Sequence, residues 1–371
     1  MTRSVSSSTG ASRTAITVIT VITGVALALS ACSGGGSSAP SSSAPPKPPP
    51  STSSAVAAPK PKPEPKPKPK QPKPKPKNPF TGIGPVPKLP TVIAKIDDTA
   101  PGRPQVGIDR ADIVYIEEAE GGLSRLAAVF GTHKPVVGYV RSTRPSDPEL
   151  FLQYGKITEA ASGGGGDSLP RMDHSGIRGW INDRGAHYYR RVSRSQSTYI
   201  NLVLNLRRVA DHTHTPAPRN IDLRFDKHPA TKGVNGKVVH TFVGSTPVTF
   251  KWWPKLHRYV RFIGGRPQHA ADGKVVSTAN VIVQRCKIKA HPQDRDVLGN
   301  PSQFTHTVGA GKVAVFRGGR EIRGFWHRKR TRDGTRFTFA NGHPITLAPG
   351  NTWIALVRPA ARATGLAPAG H

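Results

Sequence analysis

Cysteine is almost absent from this chain: two residues in 371, Cys32 and Cys286. Two cannot build a disulfide scaffold, a cysteine-rich zinc module or an iron–sulfur centre. The sequence also lacks His-Glu-x-x-His, so neither metal nor cofactor is expected. The run Gly309-Ala310-Gly311-Lys312 is no phosphate-binding P-loop, because it lacks the four-residue spacing and a Ser or Thr after Lys. No apolar run reaches the ~20 residues that span a bilayer. Acidic residues are scarce, 22 against 54 Lys and Arg, giving a formal net charge of +32. In excess are Pro (37) and Gly (38), about a fifth of the chain, with Pro concentrated before residue 80.

The proline and charge bias marks out a non-globular N-terminus. Residues 1–14 are rich in Ser and Thr, with Arg3 and Arg13 the only charges, and an apolar stretch follows from Ala15 to Leu29. A basic start, a short apolar region and small residues before a cut site read as a secretory signal peptide over residues 1–32. Its ending, Leu29-Ser30-Ala31-Cys32, resembles the lipobox of bacterial lipoproteins. That resemblance implies a diacylglyceryl group on Cys32, and two acyl chains suffice for stable anchoring. The expected partner is therefore the membrane, with the protein held at the outer face of the cytoplasmic membrane. Residues 33–78 have nothing to bury and are expected to be a disordered tether. Pro59–Lys77 alternates Pro with Lys and would extend roughly 60 Å as polyproline II at ~3.1 Å per residue.

The tether carries nine Lys and one Glu, and the leader two Arg, so +22 of the +32 stays with residues 78–371. Such a charge usually points to nucleic acid, which a secreted, anchored protein does not meet. Anionic wall polymers, membrane-associated glycans and lipid headgroups answer the same electrostatics.

The remainder reads as an α+β protein: a mixed α/β N-terminal domain (79–215), a linker (216–239), a β-rich C-terminal domain (240–359) and a flexible tail (360–371). Strands are expected over Leu89–Asp97, Ala111–Ile116, Leu123–Phe130 and Val136–Val140. Ser146-Asp147-Pro148-Glu149 has the form of a capping box opening a helix through Tyr154. Asn201–Ala210 is an apolar run of undetermined type. From His240 onward, short β-like runs such as Tyr259–Phe262 and Trp353–Val357 alternate with Gly264-Gly265, Gly318-Gly319 and other hairpin-type turns.

Several motifs resemble the YerB-like family of bacterial lipoproteins, a domain of unknown function. They include Arg103-Pro104-Gln105-Val106-Gly107, Glu120-Gly121-Gly122-Leu123-Ser124-Arg125-Leu126, Gly138-Tyr139-Val140-Arg141-Ser142-Thr143-Arg144 and Pro349-Gly350-Asn351-Thr352-Trp353. The likeness runs in order over residues 79–359. It implies no agreed activity. This chain departs from it at Asp97-Asp98, where members have Asp-Asn, and at Tyr199-Ile200-Asn201-Leu202, where they carry Pro-His-Asn-Leu.

Acids gathered at strand ends stand out in so basic a domain: Asp97, Asp98, Asp109, Asp112, Glu117, Glu118 and Glu120, with Arg103, Arg125, Arg141 and Arg144 nearby. Carboxylates meeting in a cleft could divide acid and base roles. Arginines could instead clamp a carboxylate or phosphate, or the set could simply brace the fold. The expected ligand-binding surface is Asp97, Arg103, Glu120, Arg125, Arg141 and Arg144, with no catalytic residue assigned. Gly166-Asp167-Ser168-Leu169 imitates the nucleophile block of Gly-Asp-Ser-Leu hydrolases, with Asp211 and His214 as remote partners. The expected function is binding of an anionic wall or membrane-associated glycan. The alternative is a hydrolase or transferase acting on peptidoglycan through the acidic cluster.

Overall fold

The computed structural model of the chain describes Pro46, residues 76–194 and residues 197–361. The leader with Cys32, nearly all of the tether and the tail beyond residue 361 lie outside the described residues. In chain order, the N-terminal half holds β1 (Val92–Asp97), β2 (Ile113–Glu118), β3 (Ser124–Phe130), β4 (Val136–Gly138), α1 (Asp147–Phe151) and β5 (Thr158–Ala161). It continues with α2 (Ser168–Ser175), β6 (Arg178–Ile181), β7 (Tyr189–Arg191), β8 (Leu202–Asn205) and α3 (Leu206–His212). Strands follow: β9 (Val234–Asn235), β10 (Val238–Val243), β11 (Thr246–Trp253), β12 (Arg258–Ile263), β13 (Arg266–Pro267) and β14 (Ser277–Thr278). The last are β15 (Asn280–Arg285), β16 (Lys287–Arg295), β17 (Pro301–His306), β18 (Gly309–Arg317), β19 (Arg320–Arg328), β20 (Arg336–Thr338) and β21 (Thr352–Val357). The fold is α+β.

The two halves share one eleven-stranded sheet, ordered β20-β19-β18-β15-β21-β2-β3-β1-β5-β6, with β9 also on β19. They join where β21 lies parallel to β2, Ile113 opposite Thr352 and Ile116 opposite Ala355. The strands β1, β2, β5, β6, β15 and β21 run the same way, and β3 and β18 run against them. Every residue of β1, β2, β3 and β21 is buried, as expected for strands covered on both faces. One face packs Ile93, Tyr115 and Ile354 against Phe80, Phe151 of α1 and Met172 of α2. The other packs Ile96, Val114 and Phe130 against Val209 of α3 and against Val248, Phe250 and Tyr259. These last three belong to a five-stranded sheet of β10–β14.

The expected capping box does not form. Ser146 makes no side-chain cap; Asp147 instead accepts from the Arg144 backbone N–H at 2.7 Å. Glu149 leaves the helix end altogether and accepts from the backbone N–H groups of Thr307 (2.6 Å) and Val308 (2.9 Å). The apolar run at 201–210 divides into β8 and α3 at Asn205, whose side chain caps α3 by accepting from the Arg208 N–H at 3.1 Å. In the segment 216–239, Val234–Asn235 pairs with β19, and Phe225 bridges to Leu347.

Candidate functional site

The parallel strands deliver their carboxyl ends to one edge of the large sheet, where ligands of open α/β sheets commonly bind. There Asp97 closes β1, and its cross-strand partner on β3 is Arg125. Opposed residues of an antiparallel pair project from the same face, so Asp97 and Arg125 lie on the α1/α2 side. The loop after β4 brings Arg141 to 3.2 Å from Asp97 and Arg144 to 2.6 Å from Glu120. Arg125 is buried, and neither its Nε nor its Nη1 has a hydrogen-bond partner among the described residues. Burial, then the charges of Arg144 and Arg141, push its pKa down to about 9. Three guanidinium groups thus stand against two carboxylates.

Arg103, expected in the same surface, is on the other side of the sheet. Asp98 follows Asp97 and turns the opposite way, accepting from Arg261 at 2.7 Å and from the Ser124 hydroxyl at 2.7 Å. Arg103 follows it, donating to the Asp98 backbone carbonyl and lying 3.4 Å from its carboxylate. Arg103 therefore lines a cleft of about 560 Å³ between the β1 and β2–β3 turns and the β10–β12 sheet. The structure brings together Asp97, Glu120, Arg125, Arg141 and Arg144, and separates Arg103 from them.

The wider acidic set does not gather in one cleft: Asp98 lines the cleft beside Arg103, and half-buried Asp109 stands apart beside Arg110. Asp97, Asp98, Asp112, Glu117, Glu118 and Glu120 are all buried. Asp112 accepts from the Gly131 and Thr132 N–H groups at 2.7 Å, and Glu118 is paired with Arg358 at 2.7 Å. Glu117 belongs to a core cluster absent from the expected site. There Lys95, wholly buried in the middle of β1, reaches Glu117 at 2.9 Å and Asp147 at 2.7 Å, with Glu159 also acting on it. Burial pushes Glu117 up to about 8 and raises Glu159 well above its usual range, with the charge of Asp147 adding to both. The only sequence signal for this cluster was a lysine inside an otherwise apolar strand.

The glycine-rich loop has a structural partner. Gly165 and Gly166 lie against the Gln293–Arg295 backbone of the β16–β17 hairpin, too close for a Cβ at Gly166. Ser168 is wholly buried, and its hydroxyl donates to Asp294. Asp294 also meets Ser302 at 2.6 Å, and Ser302 contacts Glu120. His214 is exposed, and His212 bonds Tyr188 at 2.8 Å and the Arg208 carbonyl at 2.9 Å. Among the described residues no hydrogen bond joins Ser168 to a histidine, so the imitation of a hydrolase block is not matched by an assembled nucleophile and base. Of the aromatic residues, Tyr259, Trp326 and Trp353 are core, whereas Trp252 and Trp253 are half-buried.

An α/β half and a β-rich half that share one sheet, with arginines crowded at its carboxyl edge, define a two-part α+β protein. Residues 80–218 match the model of the N-terminal domain of a protein of unknown function (DUF3048), and residues 238–354 match the model of its C-terminal domain. The chain belongs to this family. It is similar to the YerB protein from Bacillus subtilis, whose crystal structure matches with a TM-score of 0.66 at 22% identity. That match covers 78% of this chain and 100% of YerB, and at such identity it shows the fold. No curated protein matches the chain.

Proposed function

We propose that this protein is a lipid-anchored cell-envelope module, held by Cys32 at the outer face of the cytoplasmic membrane, that binds an anionic wall or membrane-associated glycan. The observation that carries the reading is Arg125. A buried guanidinium with unused N–H groups, flanked by Arg141 and Arg144, is unfavourable unless an anion completes it. A carboxylate or phosphate would accept from the planar fork in bidentate fashion. Arg141, whose side chain is 37% exposed, supplies the solvent-facing edge. The net charge of +22 on residues 78–371 would draw a polyanion toward it. The enzymatic alternative has less support, because Asp97, Asp98, Asp112, Glu117, Glu118 and Glu120 are buried and already engaged by cations or N–H groups.

The test is sedimentation of the full chain with purified wall sacculi, before and after removal of their phosphate polymer, over a salt series. Binding is expected to weaken with salt. Arg141→Ala should reduce it by about tenfold, the loss of one charge-assisted hydrogen bond, with the melting temperature nearly unchanged. Salt-independent binding, or an Arg141→Ala variant that binds normally, refutes the reading. The stripped sacculi separate phosphate from carboxylate as the recognised group.

A further inference from the structure

The cleft beside Arg103 has its own chemistry, distinct from that of the arginine cluster. Along β10 and β11 the side chains alternate strictly. Val239, Val243, Val248 and Phe250 turn into the core and are wholly buried. The opposite face carries His240, Phe242, Thr249, Lys251 and Trp253, with Phe262 of β12 opposite Thr249. Phe242 stays 38% exposed. Lys251 sits 4.5 Å from the centre of the Phe262 ring, and Trp253 meets the same ring edge-on at 6.4 Å. Of this face, His240, Thr249, Lys251 and Phe262 line one wall of the 560 Å³ cleft, while Phe242 and Trp253 lie outside it.

The opposing wall is polar and positively charged. Thr99 and Ser124 lie on it, their hydroxyls donating to Asp97 and Asp98, while Ser245 and Thr246 of the β10–β11 turn bring further hydroxyl groups to the cleft. Two guanidinium groups, Arg103 and Arg261, share the single carboxylate of Asp98, and the Arg103 Nε is buried without a hydrogen-bond partner. Lys251 makes no salt bridge among the described residues. The cleft therefore has a surplus of positive charge.

Its back is rigid. The β10–β11 turn locks onto the β2–β3 turn, with the Ser245 N–H donating to the Gly122 carbonyl at 2.7 Å. Gly122 (φ +73°) and Gly244 (φ +58°) both take left-handed conformations. A Cβ on Gly122 would lie 2.7 Å from the Ser245 hydroxyl, and one on Gly244 2.5 Å from the Gly122 carbonyl. Only glycine allows so close an approach. The cleft is thus preformed at the seam of the two halves, and its volume is in the usual range for small-ligand sites.

The Phe262 ring, the Ser245 and Thr246 hydroxyls and a cation in excess of the one carboxylate answer one ligand class: a sugar unit with an apolar C–H face, hydroxyls and a single acidic group. We propose that the cleft between Arg103 and Lys251 is a binding subsite for an acidic saccharide unit. This goes beyond the anion site at Arg125 and does not depend on it, since the two lie on opposite faces of the large sheet.

The test is isothermal titration of the full chain with three probes. They are the disaccharide of N-acetylglucosamine and N-acetylmuramic acid, neutral diacetylchitobiose, and glycerol phosphate. The acidic disaccharide should bind about tenfold more tightly than either other probe, the worth of one charge-assisted contact. Lys251→Met should abolish that preference at an unchanged melting temperature. Equal binding of diacetylchitobiose refutes a role for the cations. Equal binding of glycerol phosphate refutes saccharide recognition, and absence of binding refutes the site. Loss on Arg141→Ala but not on Lys251→Met places the disaccharide at the arginine cluster and overturns the proposal.

Discussion

The core cluster around Lys95 makes a quantitative prediction about stability. Lys95 is the only cation among Glu117, Asp147 and Glu159, all four wholly or almost wholly buried. Lys95→Met keeps the volume and removes the charge. Breaking a buried ion pair costs about 3–5 kcal/mol, because the remaining carboxylate is left uncompensated. In a domain of this size the melting temperature should fall by about 6–20 °C. The pH dependence is the sharper test. Glu117 has a folded-state pKa of about 8, above the value expected unfolded, so between about 4.5 and 8 the folded state holds a proton that the unfolded state has released. Stability in the wild type should therefore decline as pH rises through that window. In the variant Asp147 also loses the ammonium that holds its carboxyl low, so the decline steepens. The deficit of Lys95→Met should be smallest near pH 5 and grow toward pH 8. Thermal melts followed by circular dichroism from pH 5 to 9 measure it. A deficit that is constant with pH, or no deficit at all, would refute this account of the cluster.

Two more predictions concern the glycine-rich loop and the anchor. Gly166→Ala must accommodate a left-handed φ of +38° and a Cβ 2.6 Å from the Asp294 Cα, so it should cost about 1–3 kcal/mol or more. Gly176→Ala, with φ +80° and nothing within 4 Å of its new Cβ, should cost only about 1–2 kcal/mol, and equal losses in a melt would show that the contact with the β16–β17 hairpin is unimportant. For the proposed anchor, Cys32→Ser should move the protein from the detergent phase to the aqueous phase in Triton X-114 partitioning, and unchanged partitioning would remove the lipid from the model of function.

How much was legible depended on whether burial was decided locally. The strands β1, β2, β3 and β21 show as apolar runs because both their faces are covered, and the Gly318-Gly319 turn reveals its hairpin by needing positive φ at both positions. The strand β5, Thr-Glu-Ala-Ala, and the strand β19, with four arginines or histidines in nine residues, have no such pattern. They become strands only because a neighbour offers an edge. The seam between the halves was equally silent, since β2 and β21 are more than two hundred residues apart, as are Glu118 and its partner Arg358. Charge misled for a related reason. Acids at strand ends suggested an open site, yet Asp97, Asp98 and Glu117 are buried because Arg141, Arg261 and Lys95 arrive from elsewhere in the chain to meet them. Alternation then decides the rest. Adjacent residues at the end of one strand must face opposite layers, so Asp97 and Asp98 cannot serve one pocket. Asp97 belongs with Arg125 and Arg141, while Asp98 draws Arg103 and Arg261 to the cleft on the far side. A single run of acids and arginines in the sequence thus resolves into two positively charged places separated by the thickness of a sheet, which is why substitutions at Arg141 and Lys251 should act independently.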